Sequence, residues 1–114
     1  MGTLSDELRY KILRLLEERP DLSQRALARE LGLSLGKVNH CVQALMERGL
    51  LKARNFRNSQ NKAAYMYYLT PKGLEDKTRV TVRFLKAKLA EYEQLKFEIE
   101  ALRRDAGRER ARER

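Results

Sequence analysis

Lys37, Asn39, His40 and Gln43 all fall outside the apolar stripe of a single helical segment. An ammonium group donates to guanine or phosphate, and amide and imidazole edges match the donors and acceptors that base pairs display in a major groove. Gly36 beside them permits close approach of the backbone to a groove wall. Ser34 caps the same segment, and the amides it precedes suit a phosphate. Ser23, Gln24 and Arg25 open the preceding segment, where contact with phosphate fixes register without reading sequence. Further along, Arg54, Arg57, Asn58 and Lys62 offer cations and an amide to phosphate or to a minor groove, although Asn58, with Ser59 and Asn61, equally serves a turn. Amides and an imidazole are poor choices for simple solubility, so the pattern reads as recognition of duplex DNA.

The elements that must hold these groups follow from periodicity. Ser5 caps a first helix with Asp6 and Glu7 in its opening turn; Leu8, Ile12, Leu15 and Leu16 share its apolar stripe, and Pro20 stops it near Arg19. Ser23 caps a second, Gln24 to Leu31, which Gly32 ends in a left-handed turn. Ser34 caps a third from about Leu35 to Arg48, apolar at Val38, Cys41, Val42, Leu45 and Met46, and closed by Gly49. Two helices joined by the short turn Gly32-Leu33-Ser34 form a helix-turn-helix. The period then changes to two, predicting strands over Leu50 to Phe56 and Ala63 to Leu69 around the polar loop Arg57 to Lys62. Helices followed by a hairpin make a winged helix with that loop as the wing. The fold class expected is mainly α with a small β-hairpin wing.

Thr70-Pro71 starts another helix, with Thr70 as cap and Pro71 at its first position. The expected division is a DNA-binding domain over 1–73, a long helix over 74–106 and a charged, fraying tail over 107–114. In heptads, Thr78, Leu85, Tyr92 and Ile99 take a positions, and Leu74, Thr81, Lys88, Leu95 and Leu102 take d. Leu85, Leu89, Tyr92, Leu95, Ile99 and Leu102 are the candidate dimerisation residues. Glu91 and Glu98 at g face Lys96 and Arg103 at e only when two copies run parallel, which tips the orientation that way. A paired helix-turn-helix reads two half-sites about one DNA turn apart.

Composition excludes much else. Across 114 residues, 25 Lys and Arg against 16 Asp and Glu leave a net charge of +9, which favours an anionic partner. A single cysteine and a single histidine leave no disulfide and no credible metal ligand set, and no cofactor is expected. Cys41 reads as a small core residue, since no second cysteine can resolve a sulfenic acid. His40 has no inward carboxylate or nucleophile at helical spacing, so an enzyme is not expected. No apolar run approaches the ~20 residues of a membrane span, and the start of the chain lacks the pattern of a signal peptide. A cytoplasmic location is expected.

The helix-turn-helix, the wing and the junction Tyr68-Leu69-Thr70-Pro71-Lys72-Gly73 together resemble the MarR family of bacterial winged-helix regulators, in which an LTxxG-type strand-to-helix junction recurs. Leu4-Ser5-Asp6-Glu7 with Tyr10-Lys11, Ser34 to Asn39, and Asn55-Phe56-Arg57-Asn58-Ser59 resemble a compact subgroup associated with exopolysaccharide gene clusters. The resemblance extends to about Arg104. It implies a homodimeric, sequence-specific regulator of transcription acting on double-stranded DNA. Members of the family with additional helices cradle a phenolic ligand between dimer lobes; this chain is too short for those helices, which argues against a small-molecule effector. The rival from another class is a winged-helix protein–protein adaptor, and a second is an RNA binder.

Overall fold

The computed structural model of the protein describes residues 5–57 and 63–113, with side chains described for all of these except 55–57 and 63–64. Six elements follow in order: α1 (Asp6–Glu18), α2 (Gln24–Leu31), α3 (Leu35–Glu47), β1 (Leu51–Arg57), β2 (Ala63–Leu69) and α4 (Pro71–Arg112). The strands form an antiparallel pair in which Leu51 faces Leu69 and Arg57 faces Ala63. Two compact units divide the chain between Val82 and Arg83.

Each of the first three helices begins where a serine hydroxyl accepts a backbone amide. Ser5 Oγ takes the Leu8 amide, Ser23 Oγ that of Ala26 and Ser34 Oγ that of Lys37, each at 3.1 Å. Gly32 ends α2 with φ +67°, a conformation L side chains rarely adopt, and Gly49 follows α3 with φ +75°. Burial of one face from each element fills a single core. Ile12, Leu13 and Leu16 of α1, Leu27 and Ala28 of α2, and Val38, Cys41, Val42 and Leu45 of α3 meet Leu50, Leu51 and Tyr67 there. Leu13 thus joins the apolar stripe of α1, whereas Leu15 sits at its margin. Beside β2, the amide of Tyr67 donates to the Pro20 carbonyl at 3.1 Å, tying the hairpin to the end of α1.

The first unit extends past Gly73 because α4 buries its opening turns. Gly73, Asp76 and Val80 are all buried. Asp76 Oδ2 lies 3.1 Å from Arg9 Nε of α1, with both side chains only 10% exposed. Neither atom has a well-directed hydrogen bond, so the attraction is that of an ion pair rather than of aligned dipoles. Asp6 Oδ1 accepts from Arg9 Nη2 at 3.2 Å and Arg79 stands 3.9 Å from Asp76, which extends the pair into a chain of alternating charge. Lys77 also bonds Glu17.

The second unit is a single helical segment. It does not stop at Gly107: α4 continues to Arg112, so the tail expected to fray from Gly107 is helical over most of its length. A lone glycine costs a helix about 1 kcal/mol, too little to end one without a left-handed turn or a proline. Asp105 with Arg108 adds an ion pair across it, and Glu109 with Arg112 adds another just beyond.

Candidate nucleic-acid interface

The candidate residues at the start of α2 and α3 come together. Ser23, Gln24 and Arg25 line one side of an open groove of about 570 Å³, and Leu35, Gly36 and Asn39 line the other. Lys37, Asn39, His40 and Gln43 are exposed on α3, clear of the buried Val38, Cys41, Val42 and Leu45. Gln24 is more constrained than a free phosphate ligand: its Nε2 donates one of its two hydrogens to Tyr67 Oη at 3.0 Å, leaving one N–H donor and the carbonyl oxygen with spare capacity. That bond joins the start of α2 to β2, and sequence reasoning missed it. Tyr67 is buried whereas Tyr65 and Tyr68 are exposed, so only the middle tyrosine packs into the core.

Charge at the helix ends separates these two helices from α1. A helix N-terminus carries roughly half a positive charge and favours acidic neighbours. Helix α1 obeys, with Asp6 and Glu7 in its first turn. Helices α2 and α3 have no acid in theirs. Arg25 and Lys37 stand there instead, and Lys37 occupies the position at which a glutamate would complete a capping box with Ser34. Two positive helix ends and Arg25 therefore border one groove, and Lys37 stands in the first turn of α3 outside its lining. The arrangement is suited to an anion.

Gly36 is not required by the fold. A β-carbon there would meet nothing within 4 Å, so its absence leaves free space on the outer face of α3. Leu35, which the periodicity did not single out, is exposed at the first position of the helix. The signal that could have found it is its place outside the stripe formed by Val38, Cys41, Val42 and Leu45.

On the hairpin, Arg54 is exposed with its guanidinium 5.7 Å from the centre of the Tyr68 ring, a contact that steadies the side chain without consuming its donors. The side chain of Arg57, and Asn58 and Lys62 entirely, lie outside the described residues. Cys41 is buried, and burial pushes its thiol up, with Lys37 pulling weakly the other way. A raised thiol is a poor nucleophile.

The C-terminal end of α3 is fastened to the start of α4. Thr70 Oγ1 accepts the Gly73 amide at 3.0 Å and donates to the Gly49 carbonyl at 2.6 Å, while Lys72 Nζ donates to the Arg48 carbonyl at 3.0 Å. The threonine, lysine and glycine of the junction each have a task in holding α3. In the second unit, Leu85, Leu89, Tyr92, Leu95, Ile99 and Leu102 are all exposed, from 41% at Ile99 to 66% at Leu102. Glu91 bonds Lys88, and Lys96 stands 3.9 Å from Glu93 while its ammonium lies over Tyr92.

A helix-turn-helix with a hairpin wing and a cationic groove at its helix starts is a DNA-binding module, and residues 5–52 match a family described as winged helix-turn-helix DNA-binding. The chain is similar to the PcaV transcriptional regulator of Streptomyces coelicolor, at 31% identity over 86% of this chain and 74% of that one (TM-score 0.58). It is also similar to the zinc-dependent MarR family transcriptional regulator AdcR, at 26% identity over 82% and 61% (TM-score 0.56). FabT of Streptococcus pneumoniae, solved in complex with DNA, shares the fold at 24% identity over 73% and 56% (TM-score 0.52). No curated protein matches the sequence significantly. The chain belongs to the MarR family of transcriptional regulators, and it is a regulator rather than an enzyme. Among the described residues no helix is long and apolar enough to cross a membrane.

Proposed function

We propose that the chain is a homodimeric, sequence-specific binder of double-stranded DNA that regulates transcription in the cytoplasm. The observation that carries this reading is the meeting of two helix N-termini, each with a cation and no acid, at one groove. A phosphate of the DNA backbone satisfies both ends, and the outer face of α3 then lies against base edges. Arg25 and the serine-capped helix starts hold phosphate; Lys37, Asn39, His40 and Gln43 read bases; Arg54, Arg57, Asn58 and Lys62 of the wing contact the flanking backbone. FabT supplies an example of this fold on DNA.

The partner for α4 is a second copy. Its large apolar residues from Leu85 to Leu102 are exposed in the single chain, and the charges at e and g complement one another when two such helices run parallel. Exopolysaccharide genes are the targets that the subgroup resemblance suggests.

Fluorescence anisotropy with duplexes selected from a random pool tests the whole. Affinity should fall steeply with salt, as counterions are released from each neutralised phosphate. Asn39→Ala should erode preference for the selected site, whereas Arg57→Ala should weaken selected and random duplexes alike. Indifference to duplex DNA at low ionic strength overturns the proposal.

A further inference from the structure

Leu35 is 41% exposed at the first position of α3. Its exposure is not explained by helix initiation. The hydrophobic contact that fixes the start of a helix is made by the residue before the cap and the fourth helical residue. Those are Leu33, half-buried against the core, and Val38, fully buried. Capping is complete without Leu35 as well, since Ser34 Oγ holds the Lys37 amide.

Leu35 sits instead in the groove with Ser23, Gln24, Arg25, Gly36 and Asn39. The groove thus pairs an anion-seeking rim with one apolar side chain. Free phosphate would satisfy the rim and leave the leucine wet. A DNA strand satisfies both, because thymine alone among the bases presents a methyl group in the major groove. Asn39, one turn further along α3, is placed for a neighbouring base edge, and the missing β-carbon of Gly36 leaves room for the approach.

We propose that Leu35 is a specificity-determining residue that packs on the C5-methyl group of a thymine in each half-site. The inference rests on the DNA-binding reading above and adds to it the chemistry of one base. Burying a methyl group is worth a factor of about 3–5 in affinity, and that factor belongs to the pair of Leu35 and thymine rather than to either alone.

The test replaces each thymine of the selected duplex, one position at a time, by deoxyuridine, which keeps the hydrogen-bonding pattern and removes only the methyl group. One position per half-site should weaken the full-length chain about 3–5-fold. Leu35→Ala should lose affinity for the thymine duplex and show no further loss with deoxyuridine at that position, while Leu35→Met, which still fills the space, should stay sensitive to the replacement. A preferred sequence whose affinity ignores every replacement, or a Leu35→Ala chain as sensitive as the parent, overturns this inference alone. A random pool that yields no preferred sequence overturns the reading of function beneath it and this inference with it. Circular dichroism of the exposed-site variants verifies that the fold is retained.

Discussion

Gly73 and Leu50 meet backbone to backbone: a β-carbon on Gly73 would stand 3.1 Å from the carbonyl carbon of Leu50 and nearer still to its oxygen. That carbonyl also accepts the Thr70 amide, so it cannot turn aside freely. Gly73→Ala should therefore destabilise the chain by about 1–3 kcal/mol, the ordinary cost of overpacking, despite the better helix propensity of alanine. Urea denaturation gives the value. A stability equal to the parent's would show that the junction can open without cost.

Arg9 and Asp76 should behave as a buried pair. Removing one partner, by Asp76→Leu or Arg9→Met, leaves a largely buried charge with only its outer neighbour, Asp6 or Arg79, and should cost about 1–3 kcal/mol. The double replacement should recover most of that loss, because two apolar side chains of similar length need no desolvation of charge. A double-mutant cycle in denaturant measures the coupling, and additive losses would mean that the two groups act independently.

At Lys37, stability and function should move in opposite directions. Lys37→Glu puts an acid at the positive end of α3 and completes a capping box with Ser34, which should raise stability by about 0.3–1 kcal/mol. The same change should remove most DNA affinity at low salt. Thermal unfolding and anisotropy on one preparation suffice. A variant that gains stability and still binds DNA would show that the lysine is solvated surface.

Cys41 should resist alkylation in the folded chain and react readily in denaturant. Burial both covers the sulfur and holds it as the neutral thiol, whereas the thiolate is the reactive form. Iodoacetamide labelling followed by mass measurement decides it. Fast labelling of the native chain would point to local opening of α3.

The apolar face of α4 should set the oligomeric state. Leu95→Asp places a charge at a d position and should convert a dimer to monomer at micromolar concentration, visible by sedimentation. With Cys41 replaced by alanine, a cysteine at Leu102 should couple to its twin only if like ends meet.

The sequence itself determined the local order of the chain. Ser5, Ser23 and Ser34 can each accept an amide three residues on, Gly32 and Gly49 can turn left-handed, and the change of period after Gly49 separates helix from strand. These are interactions among near neighbours, and the local order of residues alone carries them. The outward set on α3 was legible for the same reason, as whatever the apolar stripe left over. What the sequence could not fix was which groups meet across the fold. Arg9 looks like an ordinary charged residue of α1 until Asp76 arrives from α4, many residues later, to neutralise it away from water. Gln24 looks like a free surface amide until Tyr67 takes one of its two N–H donors. Leu35 looks like one more apolar helix former until the fold packs Val38 and part of Leu33 into the core and leaves Leu35 exposed. Burial and pairing depend on distance in space, and only the packing of α1, α3, the hairpin and the first turns of α4 supplies that distance.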